Sequence, residues 1–248
     1  EQDFVKAVEC FKKAANLNHG TAKDYLGDCY YNGQGIDQSY SEAAKWYKDA
    51  ADNNKNGSSA HSLAFMYLKG EGLTEDIHKS IDYWHIAADK GITQAQRIIS
   101  REYISGEYLE KDYIKAKKYI EMAAEKGDAE AQFTLGRYYI SEMGFDNEQK
   151  CFEWFQKAAE QGFVEAEYAV GGCYENELGV KQDYAQANYW YQIAVNDGHK
   201  RAAYDLGINY LKGQGIEKDV EAGIQLLEIA SNGDVHEACR ELATRYHY

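Results

Sequence analysis

Seven tyrosines recur in register along the 248-residue chain, at Tyr30, Tyr67, Tyr103, Tyr139, Tyr174, Tyr210 and Tyr246, with a period of about 36 residues. Each has the same company. Four residues earlier stands a branched aliphatic (Leu26, Leu63, Ile99, Leu135, Val170, Leu206, Leu242), and next to it a small residue (Gly27, Ala64, Ser100, Gly136, Gly171, Gly207, Ala243). Eight residues earlier stands Ala22, Ser59, Ala95, Ala131, Ala166, Ala202 or Ala238. Columns that share a period of this length mark a repeat architecture, in which each copy buries its apolar face only against its neighbours. Alanine, aliphatic and tyrosine at i, i+4 and i+8 form one stripe of an α-helix. The small residue lets a neighbouring helix come close. Proline, the residue that breaks helices, is absent from the whole chain.

A loop follows each of these helices: NGQGI at Asn32–Ile36, KGEGL at Lys69–Leu73 and KGQGI at Lys212–Ile216, degraded elsewhere to SGEYL, SEMGF and NELGV. Glycine permits φ > 0 there, and the last apolar residue tucks the loop onto the core. A second helix then starts at Ser39, Asp76, Asp112, Asn147, Asp183 or Asp219, with Asp3 as an orphan copy; all are N-cap types. Seven residues on comes a bulky column, read as core: Cys10, Trp46, Tyr83, Tyr119, Trp154, Trp190 and Leu226. The helix stops at Asn18, Asn54, Gly91, Gly127, Gly162, Gly198 or Asp234, residue types suited to a left-handed C-terminal cap. The spacing predicts a lone second helix at Asp3–Leu17, six helix pairs from about Gly20 to Gly233, and a lone first helix at Val235–Tyr248. That last helix keeps Cys239, Leu242, Ala243 and Tyr246 on its stripe, where a terminal repeat needs a polar face. Continuation of the chain or docking at this end is expected.

The unit A-x3-LG-x2-Y-x2-G-x-G-[VIL]-x2-D-x3-A-x2-WY-x2-AA-x2-G resembles the Sel-1-like repeat family, a branch of the tetratricopeptide-like α-solenoids. The likeness covers essentially the whole chain. It implies an all-α fold, a right-handed α-α superhelix of about six two-helix repeats with a half repeat at each end, forming a single domain over 1–248. It also implies adaptor roles, in assembling membrane-associated complexes or in bacterial secreted and host-interaction proteins. In the cysteine-rich secreted members, a disulfide joins the second alanine of the pair to the alanine opening the next repeat. Here those positions are Ala15 and Ala22, Ala124 and Ala131, or Ala159 and Ala166, so the disulfide-stapled branch is not expected. Degenerate copies at Gln94–Leu109 and Glu130–Phe145 should distort the geometry locally.

Composition and motifs restrict the chemistry. The net charge is -14, with 41 acidic and 27 basic residues, which opposes the basic face that a grip on nucleic acid needs. No apolar run approaches the length of a spanning helix, so membrane insertion is not expected. Cys10, Cys29, Cys151, Cys173 and Cys239 include no C-x-x-C and are read as buried reduced thiols. The GQG loops lack the preceding strand and third glycine of a dinucleotide site. The seven histidines form no H-x3-H, and His78 and His85 are read as a solvated pair rather than a metal site. Neither a G-x-S-x-G motif nor any odd carboxylate cluster stands out. No enzyme activity and no cofactor are expected. Asn56-Gly57-Ser58 is a glycosylation sequon. The chain begins at Glu1 with no basic-then-apolar signal ahead of it, which leaves the compartment open between cytoplasmic, weakly favoured, and secreted or host-delivered.

Function should lie where the copies differ. In the related tetratricopeptide solenoids the first helices line the concave surface. Projected here, the inward positions lie two before and two after the aliphatic, four apart on one helix face. One series runs Asp24, His61, Arg97, Phe133, Tyr168, Tyr204, Arg240; the other runs Asp28, Phe65, Arg101, Arg137, Gly172, Ile208, Thr244. Arg97, Arg101 and Arg137 stand out in an acidic chain, with Phe133, Tyr168, Tyr204 and Ile208 after them and His61 and Phe65 before. Arginine beside aromatics is the composition of interface hot spots, and its fork suits carboxylates. A non-enzymatic scaffold that binds a protein or peptide, one with acidic residues beside an apolar anchor, is the expectation. Self-association through the terminal helices is a further partner class. The alternative is a regulatory or targeting repeat domain of a larger protein whose catalytic part lies outside this chain.

Overall fold

The computed structural model describes residues 2–140, 147–233 and 235–246. Among them are fourteen helices and no strand: α1 (Gln2–Asn16), α2 (Gly20–Asn32), α3 (Tyr40–Asn54), α4 (Gly57–Lys69), α5 (Ile77–Asp89), α6 (Thr93–Ser105), α7 (Tyr113–Glu125), α8 (Ala129–Tyr138), α9 (Glu148–Ala159), α10 (Val164–Asn176), α11 (Tyr184–Asn196), α12 (Lys200–Lys212), α13 (Val220–Ser231) and α14 (His236–Tyr246). The chain divides into two compact units, Glu1–Lys126 and Gly127–Tyr248. Within each unit, consecutive helices pack on one another as an α-solenoid. Odd-numbered helices are the second helices of the repeat and even-numbered ones the first.

The start of each second helix after α1 is fixed twice. Side chains of Ser39, Asp76, Asp112, Asn147, Asp183 and Asp219 accept from backbone N–H groups two or three residues on, which satisfies helix donors that have no partner within the helix. The backbone N–H of each cap residue also donates to the carbonyl of a repeat tyrosine, at 2.8 Å for Ser39 to Tyr30 and 3.1 Å for Asp219 to Tyr210. The spacing from tyrosine to cap, nine residues in five copies and eight from Tyr139 to Asn147, thus has a geometric cause. Asp3 departs from the pattern: it lies inside the first turn of α1, where a carboxylate favours the positive end of the helix dipole.

The loops carry the positive φ values expected of them, at Gly33 and Gly35, Gly70 and Gly72, and Gly213 and Gly215. The degraded copy NELGV keeps the conformation, with Glu177 (φ 58°) in the first position and Gly179 (φ 68°) in the second. The second glycine makes a close approach that no side chain could. A Cβ on Gly35 would meet the backbone of Phe4 at 2.5 Å, and one on Gly72, Gly179 or Gly215 would collide with the backbone at Tyr40, Glu148 or Tyr184. Each of these four loops therefore rests on the first turn of the second helix one repeat earlier. In SGEYL this position is Tyr108, which is exposed and has no positive φ, so that copy is distorted as expected. α8, in the other degenerate copy, is cut to 10 residues; the SEMGF loop lies outside the described residues, as do Asp234, His247 and the side chain of Tyr246.

Helix stops at Asn18, Gly91, Gly127, Gly162 and Gly198 adopt positive φ. At the inserted residue the left-handed position is Lys55, one beyond the expected Asn54. In three copies the core seam also shifts by one. The deepest large residue of each pair stands one position on, at Tyr47, Trp84, Ile120, Phe155, Tyr191 and Leu227; Tyr83, Tyr119 and Leu226 of the expected column are buried as well, whereas Trp46, Trp154 and Trp190 are half-buried and Cys10 is exposed. The small residue of the first helix explains the choice: a Cβ on Gly27, Gly136 or Gly171 would meet the ring of Tyr47, Phe155 or Tyr191 at 2.5–2.6 Å. Cys29, Cys151 and Cys173 are buried free thiols as expected, whereas Cys10 and Cys239 are exposed.

Candidate functional site

In the first unit, most residues at the projected inward positions already serve the packing. On α2, Ser59 Oγ donates to Asp24 Oδ1 (2.5 Å) and the Tyr47 hydroxyl to Asp28 Oδ1 (2.6 Å). On α4, His61 Nε2 lies 3.0 Å from Gln94 Oε1. Burial pushes the His61 pKa down, and the Gln94 contact opposes this. Phe65 stands edge-on to both His61 and Trp84, at 4.9 and 5.4 Å. Together with Asp28, Tyr47, Ser62 and Lys69 it lines a cavity of about 300 Å³. On α6, Arg97 is half-buried; Arg101 is exposed, with Nε 3.7 Å from Glu102 Oε1, so part of its charge is offset locally.

In the second unit the same positions leave an apolar opening. Phe133 of α8 packs on Phe155 and Phe163 at 5.3 and 5.4 Å, and the exposed Arg137 guanidinium lies over its ring at 6.0 Å. Tyr168 of α10 stacks on His199 at 4.4 Å and donates to Asp205 Oδ2 at 2.9 Å. Phe133, Phe155, Tyr168, Leu178 and His199, with Gly172, line a cavity of about 450 Å³. Tyr204 of α12 sits beneath Arg201, itself ion-paired to Glu237 at 2.7 Å. Ile208 is half-buried against the local core. Burial raises the Tyr168 hydroxyl pKa, and Asp205 raises it further. Burial likewise raises the Asp205 pKa, despite the Tyr168 hydrogen bond and Arg201, which both lower it.

Asp205 and His199 escaped the column reading. Asp205 lies one residue off the inward series, and His199 is an N-cap of a first helix, a position whose residue type varies from copy to copy. His199 Nδ1 accepts from the Ala202 N–H (3.0 Å), as His19 does from Ala22 and Asn56 from Ser59. His85, expected in a solvated pair with His78, is instead half-buried against Tyr103 and Tyr119, while His78 is exposed. Among the described residues no group of three or more His, Cys, Asp or Glu side chains could hold a metal ion, and no helix is long and apolar enough to cross a membrane.

The His199 environment has a pH consequence. Burial lowers its folded pKa below the ordinary 6.5, with Glu165 opposing. As pH falls through that value the unfolded chain takes up the proton first, so stability declines until the folded pKa is passed. His199→Asn keeps a capping oxygen, as at Asn56, and removes the titration. Thermal melts between about pH 7 and 5 should show a smaller loss than wild type. An equal loss would exclude His199 as a contributor.

The family model described as Sel1 repeat matches seven stretches: residues 1–19, 22–55, 57–92, 93–128, 129–163, 164–199 and 200–235. Over 88 residues the chain is 33% identical to the human protein sel-1 homolog 2, a match covering 36% of this chain and 13% of that protein. Among solved structures, it superposes on a protective antigen of uropathogenic Escherichia coli strains displaying an SLR fold, with a TM-score of 0.85 and 26% identity over 95% of this chain and 50% of that one. A Sel1 repeat protein from Oxalobacter formigenes superposes with a TM-score of 0.69 at 24% identity, over 90% of this chain and 96% of that one.

Proposed function

The chain belongs to the Sel1 repeat family, and from that premise we propose that it is a non-enzymatic scaffold, a single repeat domain over 1–248 that holds a segment of another protein along the faces of its first helices. The observation that carries this reading is the set of residues the repeat does not need. Arg137 is exposed over the Phe133 ring, and Phe133 and Tyr168 border an open apolar cavity. An arginine beside partly exposed aromatics is what interface anchors consist of, and its planar fork favours carboxylates. Arg97, Arg101, Tyr204, Ile208, Phe65 and His61 extend the reading along the same helix positions.

The test is calorimetry with a partner first identified by affinity capture. Arg97, Arg101 and Arg137 changed together to alanine should weaken binding by about 1–3 kcal/mol and leave helical content intact. Lys118→Ala on the second-helix side should change little. Salt acts in two opposed directions, screening repulsion from the acidic chain and weakening exposed ion pairs, so the steep salt dependence of nucleic-acid binding should be absent. Wild-type affinity in the triple variant would move the site off this face. A second reading, a regulatory repeat domain within a longer protein, draws support from relative length: the match spans 13% of the human relative and 50% of the E. coli antigen. A catalytic domain encoded beyond either end would favour it.

A further inference from the structure

Two neighbouring glycines in α10 have different reasons to be there. Gly171 is required by packing, since a Cβ would meet the Tyr191 ring at 2.5 Å. Gly172 has no such constraint: its φ is not positive, and the nearest atom to an added Cβ is the Tyr191 hydroxyl at 3.9 Å. A glycine inside a helix is less stable than alanine there, so nothing in the fold accounts for it. What its missing side chain leaves open is the second-unit cavity. At about 450 Å³ this cavity falls within the ~300–1,000 Å³ typical of ligand pockets.

The surroundings define the occupant. The rings of Phe133, Phe155 and Tyr168 and the Leu178 side chain make an apolar wall. At the Phe133 end stands the Arg137 guanidinium, exposed and without an ion pair to any described carboxylate. The acidic lining residue, Glu165, lies instead near His199, where its charge bears on the imidazole. One end therefore attracts anions and the other does not. We propose that this cavity is a recognition pocket for one large apolar side chain of a partner segment, with an acidic residue next to it in that segment held by Arg137. The proposal rests on the scaffold reading and sharpens it to one pocket and one side-chain pattern.

Three capped tripeptides test it on the whole chain: acetyl-Asp-Trp-Asp-amide, acetyl-Asp-Ser-Asp-amide and acetyl-Lys-Trp-Lys-amide, followed by methyl NMR at Ala169 and Leu178. The Asp-Trp-Asp probe should shift both methyls, the serine probe neither, and the lysine probe should bind about fivefold more weakly. Arg137→Ala should erase the difference between the aspartate and lysine probes. Gly172→Leu should lower Asp-Trp-Asp affinity at least about tenfold by filling the cavity. Gly172→Ala should raise the thermal midpoint, because alanine is the better helix former. If Gly172→Leu does not fold, Ala169→Leu closes the same cavity. Unmoved methyls at saturating Asp-Trp-Asp, or wild-type affinity in the filled variants, would overturn the pocket. Shifts confined to the ring protons of Phe65 and His61, recorded on the same samples, would overturn the pocket while leaving the scaffold reading standing, and no binding by any probe together with no captured partner would sink both.

Discussion

Tyr191→Ala is expected to destabilise the second unit by about 4–5 kcal/mol in denaturant titration, the upper range for truncating a buried ring. Two losses combine. The ring is 1% exposed and occupies the space left by Gly171, and alanine would leave that space empty. The hydroxyl donates to Glu175 Oε2 at 2.7 Å. It heads a polar chain in which Asn209 donates to Asn188 Oδ1 (2.8 Å) and Asn188 to the Gln214 carbonyl (2.7 Å). Tyr191→Phe separates the terms and should lose only the hydrogen bond, about 1–2 kcal/mol. A Tyr191→Ala loss below about 1 kcal/mol is what a surface site gives, and would contradict the seam assigned to the second helices.

Gly179→Ala is expected to lose about 3 kcal/mol, combining left-handed strain with overpacking. At φ 68° any side chain is strained, and here the new methyl would also run into the Glu148 carbonyl. Gly162→Val provides the comparison. It shares a positive φ (77°), but an added Cβ meets nothing within 4 Å, so strain alone should cost about 1–2 kcal/mol. Equal losses in the two variants would mean that the loop does not rest on the first turn of α9.

The two predictions also show how far the sequence could be read. Helix number, caps and all but one of the described stops were legible because each rests on a small set of residue types at a nearly fixed spacing. The seam of the second helices was not. Trp46-Tyr47, Trp154-Phe155 and Trp190-Tyr191 put two bulky residues side by side, and adjacent positions on a helix face different directions. Which one enters the core depends on the hollow above a glycine in another helix, as at Gly171. The site followed the same division. Projection placed Phe133, Arg137 and Tyr168 on one helix face, yet could not foresee that Tyr168 would be tied to Asp205 and His199.

The contact between each loop's second glycine and the earlier second helix bears on how such chains grow. Gly35 meets Phe4, Gly72 meets Tyr40, Gly179 meets Glu148 and Gly215 meets Tyr184, so each contact spans slightly less than one repeat. The segment that encloses one contact whole runs from the cap of a second helix, through the next first helix, to the glycine after it. The hairpin of first and second helix, the unit the eye picks out, divides every such contact in two. A gene duplication or a laboratory splice that copies from one cap aspartate to the next therefore transfers an intact joint. One that copies hairpins leaves an unsupported loop at each border. Breakpoints in lengthened or shortened relatives should accordingly gather just ahead of the cap residue.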